Sequence, residues 1–183
     1  NPHRLAGSMR IAPLEFDNGR LRVRFCADGT LSVTEKVTGK RYEGLLRVED
    51  GGDMGDGYNY VRPQADWVNY STRADLAVVS DGPMAAVVRI LLTMDLPAHR
   101  EYPELCERTP QAVEHTVTIL KDSGQIEVHT KLLNQTRNHR MRLLFPTGLH
   151  PDGFYTKTPF AMTRWDVAAR DWQNAREEET FVH

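Results

Sequence analysis

The residue types best suited to chemistry are concentrated in one short segment, residues 49–60, which reads EDGGDMGDGYNY. It holds four carboxylates, four glycines and two tyrosines. Glycines let a backbone approach another surface closely or adopt positive φ, and tyrosines combine a rigid apolar ring with a hydroxyl at its edge. This combination predicts a loop that contacts a sugar.

The aspartates of this segment, Asp50, Asp53 and Asp56, are candidate calcium ligands, because hard cations bind clustered carboxylates. The spacing disagrees with that interpretation. The aspartates occupy relative positions 1, 4 and 7, and no glutamate stands where a twelve-residue calcium loop needs one. Two interpretations remain open: the aspartates begin and cap turns beside glycines, or they form the polar rim of a substrate site. No metal site is predicted in this chain.

Two histidines, His115 and His129, are expected on adjacent strands of one hairpin, where they are candidate zinc ligands. A tight two-residue turn in that hairpin would place His115 opposite Leu132 and His129 opposite Thr118. The histidines would then be offset by about three residues, or ~10 Å along the strand. This distance is too long for a shared zinc ion.

Motifs for nucleophilic or phosphate chemistry are absent from the sequence, which contains no GxSxG, GxxxxGK or GxGxxG pattern. Cys26 is expected to be a small core residue. His139 and His150 flank a predicted strand at loop positions, where histidines are usually solvated. Carboxylate pairs for glycoside hydrolysis are made in space, so their separation cannot be read from one sequence. No catalytic residue is predicted in this chain.

Composition limits the partners that the segment could serve. The chain has 183 residues, 40% of them hydrophobic, which is enough for one domain with a full core. Its 25 acidic and 23 basic residues are scattered and give a net charge of -2, so no basic stripe is available for nucleic acid. Because no apolar run of about 18 residues and no leader pattern is present, neither a membrane span nor a signal peptide is predicted.

The cysteine content and the first residues bear on compartment and domain limits. Cys26 and Cys106 are too few for a disulfide framework and indicate a reducing compartment, so we expect a cytoplasmic protein. Residues 1–9, NPHRLAGSM, show no periodicity and contain a Gly-Ser-Met typical of a cloning remnant. We therefore interpret them as a linker or remnant and residues 10–183 as a single domain.

Apolar and polar residues alternate along most of the chain, which is the pattern of half-buried strands. Leu21, Val23 and Phe25 alternate with arginines, and an Asp-Gly turn leads into a second strand. Further strands are predicted at 42–48, 74–80, 84–96, 112–121, 126–134, 140–146 and 158–169.

Two details of this pattern can be checked against the structure. The 140–146 strand is expected to turn Met141, Leu143 and Phe145 inward. The segment 97–111 carries three prolines and many charges, so it is predicted to be a connection. Eight or more strands with regular turns and no crossover helices predict an all-β antiparallel sandwich with little helix.

Three blocks of sequence carry a family resemblance. They are LEFDNGRLRVRFCADGTLSVTEKVTGKRYEGLLRVEDGGDMGDGYNYVRP (14–63), LLNQTRNHRMRLLFPTGL (132–149) and PFAMTRWDVAAR (159–170). In this order they resemble the carboxy-terminal β-domain of glycoside hydrolase family 38, the α-mannosidases, and most of all its bacterial branch, which includes mannosylglycerate hydrolases.

The resemblance implies a galactose mutarotase-like supersandwich that packs beside an amino-terminal catalytic barrel of the same polypeptide and closes one wall of the sugar site. In that family, a zinc ion and an aspartate nucleophile outside this domain carry out retaining hydrolysis of α-mannosides. The implied partners are therefore the barrel and a mannoside. Zinc is implied for the parent enzyme but not for this chain, which is expected to be inactive alone.

The resemblance also implies roles for individual residues. The loop at 53–60 is similar to the family segment that sends a tyrosine toward the bound saccharide. This implies that Tyr58 contacts the substrate, with Asp56 and Asn59 as its neighbours. Arg170, after the WDVAAR block, is similar to a family arginine near the same site.

The block NHRMRLLFP is also similar to a family block. Here we expect Arg140 to tie a strand to a loop through charge-assisted hydrogen bonds, which is a structural role. The chain ends at His183, where the family usually continues into further β structure, so we expect a fragment of a longer enzyme.

A second function remains open. Aldose epimerases share the sandwich architecture, and in such a protein a histidine and a glutamate would perform acid–base work. The chain would then be a freestanding carbohydrate-binding or epimerase-like domain. Fold likeness alone does not choose between the two functions.

Overall fold

The computed structural model of the chain describes residues 7–63, 66–99 and 107–167. These residues form β-strands and no helix, which confirms the all-β prediction, and they contain no helix that could cross a membrane. The strands are β1 (Arg10–Ala12), β2 (Glu15–Asp17), β3 (Leu21–Phe25), β4 (Leu31–Glu35), β5 (Arg41–Leu45), β6 (Arg47–Gly52), β7 (Asn69–Tyr70), β8 (Ala74–Asp81), β9 (Ala85–Pro97), β10 (Arg108–Leu120), β11 (Ile126–Leu132), β12 (His139–Leu144), β13 (Gly153–Lys157) and β14 (Met162–Asp166).

The first sheet contains β1 to β5 in sequential antiparallel order. In β3 the predicted alternation is confirmed, since Leu21, Val23 and Phe25 are buried and the two arginines between them are exposed. The predicted turn joins β3 to β4, and Gly29 in that turn adopts a φ of 83°, a conformation that favours glycine.

The second sheet has the order β11-β10-β9-β8, and β9 and β10 pair along all 13 residues of each strand. The prediction that 97–111 is a connection is therefore wrong at both of its ends. Pro110 is tolerated because β11 pairs with β10 only from Val113 onward. The proline thus lies where β10 has one neighbouring strand among the described residues, and there a missing N–H is least costly.

The hairpin between β10 and β11 is longer than the two-residue turn that we predicted, because Ile119 pairs with Ile126. His115 consequently lies opposite Thr130, and His129 lies opposite Thr116. Adjacent residues of a strand point to opposite faces, so His115 is buried in the core whereas His129 is exposed. The sheet itself separates the two histidines, and the predicted offset of three residues is wrong.

The predicted strand through 42–48 is broken at Leu46, whose φ of 66° lies in the left-handed region. β5 stays in the first sheet, whereas β6 enters a third sheet of order β12-β6-β7. Leu46 is 1% exposed. Burial of its side chain therefore offsets a backbone conformation that costs roughly 1–3 kcal/mol.

The first and second sheets share one hydrophobic core, which confirms the sandwich prediction. Its centre includes an edge-to-face contact between Phe16 and Phe25, whose ring centroids are 5.8 Å apart. Val48 of the third sheet also belongs to this core. The other large members are Met9, Leu21, Val23, Leu31, Val33, Leu46, Val88, Ile90, Leu92, Met94, Leu96, Val113, Val117 and Ile119.

The strand predicted at 140–146 is present as β12, but its apolar residues do not all point inward. Met141 packs against the core, whereas Leu143 is 39% exposed and Phe145 is 53% exposed. Phe145 lies beyond the end of β12, so the alternation that predicted its burial no longer applies. The strand predicted at 158–169 is present as β14, which forms a separate hairpin with β13.

Residues near the amino terminus take part in the fold. Met9, in the segment expected to be a linker, is 6% exposed and lies in the core, and Ser8 donates a hydrogen bond to Asp81 of β8. Cys26 follows β3 and is half-buried, so it is not the fully buried core residue that we expected. Cys106 lies outside the described residues.

Candidate functional site

The loop after β6, residues 53–61, is closed by hydrogen bonds at its two ends, and we name it the tyrosine loop. The N–H of Met54 donates to the carbonyl of Val61 (2.8 Å). Oδ1 of Asp53 accepts hydrogen bonds from the N–H groups of Gly55 (2.9 Å) and Val61 (3.2 Å). Asp53 therefore begins and caps a turn, as one of the two open interpretations holds.

The tip of the tyrosine loop is organised by Asp56. Its Oδ1 accepts hydrogen bonds from the N–H groups of Tyr58 (2.8 Å) and Asn59 (2.9 Å). These two bonds lower the pKa of Asp56 below its ordinary value, because they stabilise the charged carboxylate. Asp56 is thus an anion at neutral pH, and it fixes the backbone of the turn that carries Tyr58.

The side chain of Tyr58 is 97% exposed. Because its backbone is held while its ring is exposed, Tyr58 presents an apolar plate and a hydroxyl from a fixed point on the backbone. The structure brings Asp56, Tyr58 and Asn59 together on one turn, and their contact with a substrate stays a prediction. Arg170, the fourth residue assigned to the site, lies outside the described residues.

Gly55 allows the tyrosine loop to close. A Cβ atom at this position would lie 1.6 Å from the carbonyl oxygen of Asn59. No side chain fits at that distance, so the loop requires glycine here for close backbone approach.

The base of the tyrosine loop is tied to two neighbouring segments. The N–H of Gly52 donates to Oδ1 of Asp66 (2.7 Å), and the N–H of Asp53 donates to the carbonyl of Asn138 (3.0 Å). The next residue, His139, lies opposite Gly52 in the pairing of β6 with β12. β12 therefore begins where the tyrosine loop begins.

Asp50 and His139 form a buried pair at this base. The side chains are 0% and 4% exposed respectively, and Nδ1 of His139 lies 2.5 Å from Oδ1 of Asp50. On the other side of the ring, Nε2 lies 2.7 Å from Oγ1 of Thr136 and 2.8 Å from Oδ1 of Asn134. Two predictions are wrong here, because strand pairing buries both side chains: Asp50 belongs to β6 and not to a turn, and His139 is not solvated. His150 is exposed, as expected.

Arg140 contacts the returning end of the tyrosine loop. Its guanidinium carbon lies 3.9 Å from the ring centroid of Tyr60, which is cation–π geometry. The expectation that Arg140 ties a strand to a loop is confirmed. The contact that does so is with an aromatic ring, whereas we expected charge-assisted hydrogen bonds.

An ion pair also links β6 to β12. Nε of Arg142 lies 2.7 Å from Oε1 of Glu49, and Nη2 of the arginine contacts the same oxygen. The hydroxyl of Tyr70 in β7 also donates a hydrogen bond to Glu49, and this bond raises the pKa of Tyr70. Both carboxylates of β6 are therefore engaged by side chains of neighbouring strands.

The arrangement suits binding more than acid–base chemistry. Asp50 and Glu49 are bonded to side chains, and both ring nitrogens of His139 have hydrogen-bond partners. The accessible groups lie at the tip, where Tyr58 and the Asp56 carboxylate are exposed. Across residues 7–63, 66–99 and 107–167, no group of three or more His, Cys, Asp or Glu side chains is placed to hold a metal ion.

A groove of about 370 Å³ lies elsewhere, between the first sheet and the β10–β11 hairpin. Leu21, Leu45 and Ile126 form part of its apolar wall, and Arg20 and Glu35 stand among its polar residues. No residue of the tyrosine loop lines this groove, so it is not part of the site.

The Asp50–His139 pair is the part of the site that sequence reasoning missed. The only available indication was that charged residues of β6 and of the NHRMRLLFP block could form cross-strand pairs. The two side chains are 89 residues apart in the chain. Periodicity within one strand cannot show which distant strand lies beside it.

The family model described as the C-terminal domain of glycosyl hydrolases family 38 matches residues 16–183. A protein of Halalkalibacterium halodurans that bears the name "Putative mannosylglycerate hydrolase" is 25% identical over 180 residues. That match covers 87% of this chain and 20% of the relative.

Solved structures are similar as well. An alpha-mannosidase from Enterococcus faecalis V583 matches with a TM-score of 0.79 and 27% identity, over 88% of this chain and 20% of its own. A glycosyl hydrolase family 38 protein from Enterococcus faecalis matches with a TM-score of 0.76 and 27% identity, over 84% of this chain and 21% of its own. The chain therefore spans about a fifth of the length of the relatives it matches.

Proposed function

Because this chain belongs to the C-terminal domain family of family 38 glycosyl hydrolases, we propose that it is the β-sandwich domain of a zinc-dependent, retaining α-mannosidase. In this role it packs beside a catalytic barrel of the same polypeptide and lends loop residues to the sugar site. The length of the relatives supports the proposal, since each is about five times as long as the part that this chain matches.

The observation that carries the proposal is the construction of the tyrosine loop. Asp53 and Asp56 use their carboxylates to hold backbone N–H groups, so the loop has a defined shape without a ligand. On this frame Tyr58 is 97% exposed. A turn whose backbone is held by its own carboxylates and that exposes one aromatic ring with a hydroxyl suits the wall of a sugar site.

Within the proposal, Tyr58 packs its ring against the apolar face of a mannoside and hydrogen-bonds to a sugar hydroxyl. Asp56 and Asn59 stand on the same turn and offer further polar groups. The substrate class is proposed from the printed names of the relatives, an alpha-mannosidase and a mannosylglycerate hydrolase. An α-mannoside is common to both.

Zinc belongs to the proposal only through the parent enzyme. When bound, zinc would supply Lewis-acid chemistry to the hydrolysis. The described residues of this chain do not fit a zinc ion, because no suitable cluster of side chains is formed. As the family resemblance implies, we assign the zinc ligands and the nucleophile to the part of the parent enzyme outside this chain.

We also propose that the parent enzyme works in the cytoplasm. The support is the low cysteine count of two, together with the free thiol of Cys26. Fractionation of the source cells with an antibody against this domain would test the location. Recovery of the protein outside the cytoplasm would contradict it.

The proposal is tested by comparing this chain with the full-length polypeptide that carries it. With nitrophenyl α-mannoside and mannosylglycerate as substrates, we expect turnover by the full polypeptide, loss of turnover on chelation, and recovery with zinc. The 183-residue chain alone is expected to be inactive. Turnover by the isolated chain, or its saturable binding of mannose or glucose in calorimetry, would favour a freestanding domain instead.

A single substitution tests the role of the tyrosine loop. In the full polypeptide, Tyr58→Phe keeps the ring and removes one hydroxyl, so kcat/KM should fall by roughly 3- to 10-fold, the effect of one neutral hydrogen bond. The matched control is Tyr155→Phe, because Tyr155 is 65% exposed on the β13–β14 hairpin. Equal kcat/KM values for the two variants would show that the Tyr58 hydroxyl does not contact the substrate.

A further inference from the structure

The pair Asp50–His139 has no part in the binding surface described above, yet it stands at the base of the tyrosine loop. We propose that His139 is a positioning residue, which acts with Asp50 and Arg140 to set the place of Tyr58 against the substrate. We name Asp50, His139 and Arg140 the β12 clamp. The inference rests on the proposed function, because the position of Tyr58 matters only if the tyrosine loop contacts a ligand.

β12 starts beside the outgoing end of the tyrosine loop. The N–H of Asp53, the first residue of the tyrosine loop, donates to the carbonyl of Asn138. His139 follows at once and lies opposite Gly52, the last residue of β6. The backbone around His139 therefore holds the outgoing end of the loop, and any shift of His139 moves that end.

The imidazole ring of His139 has hydrogen-bond partners on both of its nitrogens. A carboxylate oxygen of Asp50 faces Nδ1 at 2.5 Å, and the amide oxygen of Asn134 faces Nε2 at 2.8 Å. Nδ1 donates, because the Asp50 carboxylate can only accept, and Nε2 also has the hydroxyl of Thr136 as a partner at 2.7 Å. Since bonds to a buried charged group are strong and directional, they fix the ring and, through it, the start of β12.

The next residue, Arg140, holds the returning end of the tyrosine loop. Arg140 lies over the ring of Tyr60, two residues beyond Tyr58, with 3.9 Å between the guanidinium carbon and the ring centroid. His139 and Arg140 therefore hold the outgoing and returning ends from adjacent positions on one strand. Between these ends, Asp56 shapes the tip.

The clamp is tested first by hydrogen exchange on this chain. In His139→Ala, amides of residues 53–61 should exchange about tenfold faster than in the native chain, while amides of β9 and β10 keep their protection. In His139→Asn the effect should be smaller, because the Asn amide can still donate to Asp50. The control is His129→Ala, which removes an exposed histidine from β11.

The second arm measures kinetics on α-mannosides with the full-length polypeptide. If His139 acts through Tyr58, then Tyr58→Phe should lower kcat/KM by less than about twofold when it is made in the His139→Ala variant. Arg140→Met should raise KM more than it lowers kcat, with Arg137→Met, an exposed position just before β12, as its control. A clamp with only a structural role would give additive effects of His139→Ala and Tyr58→Phe.

The outcomes separate the clamp from the proposed function. Two results of the exchange experiment would overturn the clamp independently of enzyme activity. One is an unchanged exchange rate of residues 53–61 in His139→Ala, and the other is an equally faster exchange throughout both sheets. If His139→Ala does not fold, Arg140→Met takes its place in both arms. Absence of α-mannosidase activity in the full polypeptide would overturn the proposed function, and the exchange arm would still decide whether the clamp holds the loop.

Discussion

The β9–β10 pair and the β6–β12 pair are both antiparallel, but they are stabilised differently. Between β9 and β10, most inward side chains are apolar, for example Ile90, Leu92 and Val117, and the buried polar residues Gln111 and His115 are the exceptions on β10. Between β6 and β12, buried acids meet a histidine and an arginine. The first pair holds the sandwich together, and the second places the tyrosine loop.

The difference follows from the directionality of the two interactions. Hydrophobic burial depends on area and has no preferred angle, so it tolerates small shifts of one side chain against another. A buried ion pair is costly to desolvate and repays that cost only in good geometry. The β6–β12 pair therefore contributes less net stability than its short contacts suggest, but it specifies register closely.

The largest effect on stability is expected in the core. Leu92→Ala removes a fully buried side chain and should lower the free energy of unfolding by about 2–5 kcal/mol. Leu91→Ala is the control, because the neighbouring leucine points to the other face and is 38% exposed. Urea denaturation of both variants measures the difference, and equal losses would contradict the assignment of the core face.

The next effect concerns the turn that faces the core. Gly29→Ala would place a Cβ 2.6 Å from Cδ2 of Leu92, at a residue whose φ is 83°. Overpacking of about 1–3 kcal/mol should add to the backbone strain. Gly39→Ala is the control, with a φ of 72° and no atom within 4 Å of the added Cβ. Urea midpoints should fall further for Gly29→Ala, and equal losses for the two variants would show that backbone strain alone matters.

A pH effect should arise from His115 in the core. Burial lowers the pKa of His115 below 6.5, since its Nε2 has no partner in the described residues and desolvation disfavours the charged ring. At a pH below about 6.5 the unfolded chain binds the additional proton, so stability falls as the pH drops. Above the pKa of the unfolded chain, His115 is neutral in both states and lowers the free energy of unfolding no further.

Unfolding measured between pH 7.5 and 5.5 tests this expectation. The native chain should show proton uptake on unfolding at the acidic end, and His115→Gln should show about one proton less. His129→Gln, at an exposed position, should keep the native slope. An identical slope in all three chains would mean that His115 titrates alike in the folded and unfolded states.

The smallest effect on stability is expected at the loop tip. Asp56→Ala removes the acceptor of two N–H groups, but the site is exposed, so the free energy of unfolding should change only slightly. Asp56→Asn keeps an acceptor oxygen and should preserve the turn. In the full polypeptide, kcat/KM should fall for Asp56→Ala and recover in Asp56→Asn, whereas equal losses would show that the charge itself is needed.

The fold was largely predictable, because alternation is a local property. The pattern of Leu21, Val23 and Phe25 predicted β3 and its buried face correctly. The break at Leu46 was not predictable, since its φ of 66° is held by burial against residues from other strands. The β10–β11 register was wrong because a longer hairpin loop shifts every pair along the ladder.

The candidate site was predictable in part. Asp56, Tyr58 and Asn59 are neighbours in sequence, so their common turn followed from turn chemistry. The clamp could not be derived in that way, because Asp50 and His139 are 89 residues apart. The positions of Glu49 and Arg142 illustrate the same limit, since the side chains are 93 residues apart.

The sequence by itself determined the all-β class, the buried faces of most strands and the turn that carries Tyr58, since each depends on residues within about ten positions of one another. The tertiary structure alone decided which strand lies beside β6. Only that pairing converts Asp50 from a plausible turn residue into a buried partner of His139. The physical reason is that strand pairing uses backbone hydrogen bonds common to all residues, so partner choice depends on the packing of the whole chain.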